Sequence, residues 1–101
     1  MRMTLITALV LQAIGRGSRF GFQIVDVTGY PTGTVYPALR RLEHAGLVRS
    51  EWESEAAAAK EGRPQRRYYE VTPAGARALD AARDQLRAVA GLRPLNPKAA
   101  R

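Results

Sequence analysis

The chain has 101 residues, 46% of them hydrophobic, with 16 Lys and Arg against 9 Asp and Glu and a net charge of +7. That length suits one compact domain with a modest core, and the hydrophobic share excludes a disordered chain. The basic excess favours an anionic partner, nucleic acid before acidic lipid. No cysteine is present, which excludes disulfides, thiol nucleophiles and zinc fingers and agrees with a reducing cytoplasm.

The N-terminal run "MTLITALVLQAIG" is shorter than the roughly 20 residues of a membrane span. No small-residue cleavage site follows it, as a secretory signal requires. It therefore reads as a folded helix over 4–14 in a soluble, cytoplasmic protein. Leu5, Ile6, Leu9, Val10, Ala13 and Ile14 make an apolar stripe, which Ala8 and Leu11 widen. A helix apolar on nearly all sides is buried on nearly all sides, so in a domain this small one side is expected to meet a second subunit. "GRGS" ends the helix, because Gly suits a C-terminal cap and Ser can cap the next helix.

Residues 19–28 read as a second helix, with Phe20, Ile24 and Val27 at i, i+4 and i+7. "TGYP" is a turn, since Gly tolerates positive φ and Pro31 blocks helix continuation. A third helix runs to about residue 45 and is closed by Gly46. Two short helices across a tight turn make a helix-turn-helix candidate. In the third helix Val35, Ala38, Leu39 and Leu42 cluster on one side, and Gly33, Pro37 and His44 lie opposite. Tyr36 and Arg40 flank that outer face on one edge, Thr34 and Arg41 on the other. Pro37 has two readings. With Thr34 as N-cap it falls in the first turn, where its missing N–H would have had no partner. With Thr32 as N-cap, one bond to Gly33 is lost. The later start is favoured, with Thr32 and Gly33 as an irregular lead-in.

"LVRSEWE" (47–53) alternates apolar and polar residues, the pattern of a strand with one buried face. Residues 54–65 lose periodicity and carry Gly62 and Pro64; their four alanines could form a helical turn. "RRYYEVT" (66–72) returns to a strand, so the two strands predict a β-hairpin with a long loop. Tyr68 and Tyr69 point to opposite faces, one toward the core. Thr72 as N-cap and Pro73 at the first helical position start a last helix over about 73–90. Leu79, Ala82, Leu86 and Val89 step by 3, 4 and 3, a narrow coiled-coil-like seam. The seam could pack on its own domain, but with Leu5 and Leu9 of the first helix a two-helix dimer interface is favoured. Asp80 with Arg83, and Asp84 with Arg87, pair at i, i+3 for a few tenths of a kcal/mol each. Residues 1–90 are expected to form the domain and 91–101 a flexible tail.

The order helix, helix, helix, strand, loop, strand, helix is that of a winged helix-turn-helix: an α+β fold, mainly α, with a hairpin wing and a C-terminal dimerisation helix. Catalysis finds no support. His44 is the only histidine and reads as a solvated surface residue, and no Ser/His/Asp set or metal cluster can be built around it. Glu51, Glu53 and Glu55 alternate on one strand, where exposed charges keep an edge soluble. "GRGSRFG" lacks the preceding strand of a dinucleotide fingerprint. No metal, cofactor or enzymatic activity is expected.

The outer face of the third helix is small near its start and basic in the middle. Small residues let a backbone approach a major groove, and arginines reach guanine edges or phosphates. Thr34, Tyr36, Arg40 and Arg41 are the candidate DNA contacts, with Thr32 behind them. In the wing, Arg63, Arg66 and Arg67 are the candidates, with Lys60 and Tyr68 behind them; a basic tip can follow phosphates or enter a narrow minor groove. A winged helix used for protein–protein contact, or a non-specific architectural DNA binder, are the alternatives.

"GTVYPALRRLEHAGLVRSEWE" followed by "EGRPQRRYYEVTPAG" resembles the PadR family of bacterial transcriptional regulators, from about residue 20 to 76. With one helix after the wing, the chain is similar to the short subfamily. The resemblance implies a homodimeric repressor of a palindromic operator, with the third helix in the major groove and the wing on the adjacent minor groove or backbone. It also implies a dimer built from the last helix and the partner's first. Release from DNA by a small aromatic or drug-like effector is a further implication. Two departures stand out: "GFQ" (21–23) replaces a common Gly-Tyr pair, and the only tryptophan, Trp52, lies on the first wing strand rather than the last helix.

Overall fold

The computed structural model describes residues 2–92, without the side chains of Leu86 and 88–92. The elements are α1 (Leu5–Gly15), α2 (Gly21–Thr28), α3 (Thr32–His44), β1 (Val48–Trp52), α4 (Glu55–Lys60), β2 (Arg67–Val71) and α5 (Pro73–Leu92). Three helices, a two-stranded antiparallel wing and a C-terminal helix make a winged helix-turn-helix. The expected tail of 91–101 begins later than the sequence indicates, since α5 runs to Leu92, and its remainder, 93–101, lies outside the described residues.

The core gathers where the predicted stripes meet. Val10 and Leu11 of α1, Ile24 of α2, and Val35, Leu39 and Leu42 of α3 are all essentially inaccessible. Each such side chain contributes about 1.5–3 kcal/mol relative to exposure. Val48 of β1 and Tyr69 of β2 close the core from the wing side. Thr4 caps α1, its Oγ1 accepting from the Thr7 N–H at 3.2 Å.

Two local expectations need correction. First, α2 starts at Gly21, not at 19. Phe20 is extended and bridges Tyr68, and the Tyr69 N–H donates to the Arg19 carbonyl at 2.8 Å. Residues 19 and 20 therefore serve the wing as a short third edge. Second, α3 starts at Thr32 with Pro31 as N-cap, so Pro37 lies inside the helix. The Pro31 carbonyl accepts from the N–H groups of Thr34 (2.9 Å) and Val35 (3.0 Å), which sets the early start. The bond that Pro37 cannot make is the one to Gly33. Gly33 is exposed, so solvent can reach its carbonyl and the loss is tolerated. The helical turn that the four alanines of the wing loop could form is present, as α4. Ser54 caps it, accepting from the Ala57 N–H at 3.1 Å, and Ala58 is buried.

The wing pairs Val48 with Val71, Ser50 with Tyr69 and Trp52 with Arg67. The face carrying these residues starts in the core at Val48 and leaves it by Trp52, which is 60% exposed. Thr72 ties the wing to α5: its hydroxyl donates to the Gly46 carbonyl at 2.6 Å and accepts from the Gly75 N–H at 3.1 Å. Both predicted acid–arginine pairs form on α5, Arg83–Asp80 and Arg87–Asp84.

The seam of α5 also changes meaning. Leu79 and Ala82 are buried within their own chain. A Cβ added at Gly15 would lie 2.9 Å from Leu79 Cδ2, so α5 packs closely on the end of α1. Leu79 thus serves the domain's own core, while Ala82 also borders a shallow groove along α5. Leu9 is half-buried and Leu5 is 58% exposed. The side chains of Leu86 and Val89 lie outside the described ones.

Candidate nucleic-acid interface

The outward side of α3 is set by the burial of its other side. With Val35, Ala38, Leu39 and Leu42 inward, Thr32, Gly33, Arg40, Arg41 and His44 are exposed, and Thr34, Tyr36 and Pro37 are half-buried. Tyr36 is less free than its position on the helix predicts. Its ring and hydroxyl lie against Gly21, leaving no room there for a Cβ. Tyr36 therefore seats α3 on the start of α2.

The two arginines are not equivalent. Arg41 leans back toward α1, with Nη2 3.5 Å from Thr7 Oγ1, at the outer limit of a hydrogen bond. Arg40 has no ion-pair or hydrogen-bond partner among the described residues. It opens on a cleft of about 510 Å³ between α3, the start of α2 and the wing. Arg66 and Arg67 face it across that cleft, and Phe22 and Trp52 form part of the wall. Phe22 is 68% exposed, so the cleft combines guanidinium groups with uncovered aromatic surface.

In the wing, Arg63 is bound by Glu53. Its Nη1 and Nη2 donate to Glu53 Oε1 at 2.5 Å and Oε2 at 2.9 Å. The Glu53 carboxylate also accepts from the Arg66 N–H at 3.2 Å and the Tyr68 hydroxyl at 3.2 Å. Its carbonyl accepts from Gln65 Nε2 at 2.7 Å. The Arg63 guanidinium, aided by the Arg66 N–H and the Tyr68 hydroxyl, holds the Glu53 carboxyl down at about 2. Arg63 in turn is pushed up by the same carboxylate. Arg63 and Tyr68 thus brace the wing from within.

Arg66 lies 4.0 Å from the centre of the Phe20 ring, which itself meets Tyr68 edge-on at 5.9 Å. Arg67 donates from Nε to Ser50 Oγ at 2.8 Å and approaches both Glu43 oxygens at 3.3 Å. Lys60 ends α4 and is exposed. Burial pushes the Tyr69 hydroxyl up, consistent with its place in the core. The structure therefore brings Arg40, Arg66 and Arg67 together and turns Arg63 and the Tyr68 hydroxyl to Glu53. Glu43, Ser50, Glu53, Phe22 and Trp52 were not among the sequence candidates. Only the alternation of β1, which puts Ser50 and Trp52 on one face, hinted at two of them.

Among the described residues, no His, Cys, Asp and Glu side chains are grouped to hold a metal ion, and no helix is long and apolar enough to cross a membrane.

A three-helix unit with an exposed basic third helix, followed by a wing that adds arginines beside it, is a winged helix-turn-helix of the DNA-binding type. The chain matches the model of the transcriptional regulator PadR-like family over residues 10–81 and belongs to that family, which comprises transcription regulators rather than enzymes.

Solved structures with the same fold include a PadR family transcription regulator from Clostridium difficile R20291. It has a TM-score of 0.77 and 22% identity, with 88% of this chain and 94% of that one covered. A PadR-like regulator from Bacillus cereus gives a TM-score of 0.70 at 19% identity, covering 87% of this chain and 86% of that one. BpsR of Bordetella bronchiseptica gives 0.76 at 18% identity, covering 98% and 68%. No curated protein matches the chain.

Proposed function

We propose that this regulator is a homodimeric repressor that binds a palindromic operator in the bacterial cytoplasm and leaves it when a small-molecule effector binds. The observation that carries the reading is Arg40. It stands outward and without a partner among the described residues, on a helix whose opposite face is buried, with Arg66 and Arg67 across the cleft. Such an array offers positive charge to a phosphate backbone and a guanidinium to a guanine edge.

Dimerisation draws support from Leu5, 58% exposed, and from a shallow groove along α5 lined by Met3, Leu47, Ala78 and Ala81. A two-fold dimer reads two half-sites about one duplex turn, roughly 10 bp, apart. The effector draws support from BpsR, a protein of the same fold whose DNA binding is regulated by 6-hydroxynicotinic acid.

The test is protection mapping on the DNA upstream of the protein's own gene, with and without a panel of small aromatic compounds. A protected two-fold site, lost on addition of a compound, is the expected result. Equal binding to random DNA would make the protein an architectural binder. No DNA retention at low salt would make the wing a protein-contact surface.

A further inference from the structure

Glu43 is the one carboxylate among the residues that line the cleft. A negative charge on a surface meant for phosphates weakens binding unless it does something else there. On α3 it continues the stripe of Tyr36 and Arg40 at i, i+4 and i+7, along the edge that borders the cleft. Its carboxylate accepts from the Ser50 hydroxyl of β1 and lies 3.3 Å from Arg67 Nη2 of β2. Arg67 Nε donates back to Ser50 Oγ at 2.8 Å, and its guanidinium sits 5.6 Å from the Trp52 ring centre. The three side chains close a ring that joins the recognition helix to both wing strands.

We infer that Glu43 is a positioning residue that sets DNA discrimination by holding Arg67 in register with Arg40. This rests on the DNA-binding reading above. Arg67 is still 40% exposed and Glu43 34% exposed, so a phosphate can reach the guanidinium. Where the duplex fits both α3 and the wing, Arg67 turns to the phosphate from a fixed place. Where it does not fit, Arg67 stays with Glu43, and any phosphate drawn into the cleft meets a carboxylate. Unfavourable contacts with the wrong partner are an established source of specificity.

The experiment compares wild type, Glu43→Gln and Ser50→Ala. Each is titrated across a salt series with the duplex that wild type selects from a random pool and with a scrambled duplex of equal length. For Glu43→Gln, scrambled DNA should bind about 5–10-fold more tightly. The slope of log K against log salt should steepen by about 0.9, the value for one added phosphate contact. Binding of the selected duplex should not improve, so the preference falls by about that factor.

Ser50→Ala keeps both charges and removes the anchor on Nε. Its preference should fall with the salt slope unchanged. Equal gains on both duplexes in Glu43→Gln would reduce Glu43 to a general charge effect and overturn the inference. So would equal losses accompanied by a lower Tm, or an unchanged preference in Ser50→Ala. A wild type with no preferred duplex at all would instead sink the DNA-binding reading.

Discussion

Glu53 and Arg63 face each other across the wing loop in a two-pronged ion pair, ten residues apart in sequence and joined through α4. Their side chains are 10% and 23% exposed. Because the folded state holds Glu53 near 2 against an ordinary 4.5, it stabilises the native wing fully above pH 4.5. The contribution is lost progressively as pH falls from about 4.5 toward 2, since the unfolded carboxylate takes its proton first. Thermal melts from pH 7 to pH 2 should show wild type losing stability faster than Glu53→Gln across that window. Parallel curves would mean the pair contributes nothing.

The same pair decides what Arg63 does. A guanidinium committed to a carboxylate has less to give a phosphate, so Arg63→Ala should lower the Tm while leaving the salt slope of DNA binding within about 0.3 of wild type. An arginine in full phosphate contact would take about 0.9 from that slope. Electrophoretic mobility shifts across a salt series measure it.

Arg40 and Arg41 should separate in the same assay. Arg40→Ala should weaken the selected duplex by about 1–3 kcal/mol and flatten its preference at one base position, as expected of a base-reading arginine. Arg41 leans back toward Thr7 at the outer limit of contact, so its guanidinium lies at the edge of α3, the place for a phosphate contact if α3 enters the major groove. Arg41→Ala should weaken all sequences alike and reduce the salt slope by about 0.9.

The features legible in the sequence were those that local periodicity carries. The inward face of α3 (Val35, Ala38, Leu39 and Leu42), the Thr72 cap and the Asp–Arg pairs of α5 all follow from spacing within one element. What was hidden depends on partners distant in sequence. Phe20 leaves α2 because Tyr68 lies beside it. The helical turn that the four alanines allow was legible; an isolated six-residue helix is marginal in water, and α4 persists because Ser54 caps it locally and Ala58 is covered. Arg63 and Arg67 looked equally free in the chain. Only folding places Glu53 and Glu43 against them. The start of α3 turned on where the Pro31 carbonyl points, which no composition rule supplies.

Leu5 tests the dimer. It is 58% exposed in the single chain, so Leu5→Glu should change monomer stability by no more than about 0.5 kcal/mol. If the partner covers it, the substitution buries a charge and should shift sedimentation toward the monomer at micromolar concentration. A variant that sediments like wild type would place the interface elsewhere.

Two glycines give opposite outcomes with the same added methyl group. At Gly75 a Cβ would run into the Leu47 carbonyl oxygen, a backbone atom fixed by the Thr72 N–H that donates to it at 3.1 Å. Gly75→Ala should cost roughly 1–3 kcal/mol by overpacking, lowering the Tm by about 4–8 °C per kcal/mol. At Gly33 nothing lies within 4 Å of the added atom, and the residue is helical. Gly33→Ala should gain a few tenths up to about 1 kcal/mol from helix propensity. Yet Gly33 is exposed near the start of α3, where a slim backbone can sit close to base edges. DNA affinity should therefore fall in Gly33→Ala while the Tm rises. A rise in both would place the first turn of α3 away from the duplex.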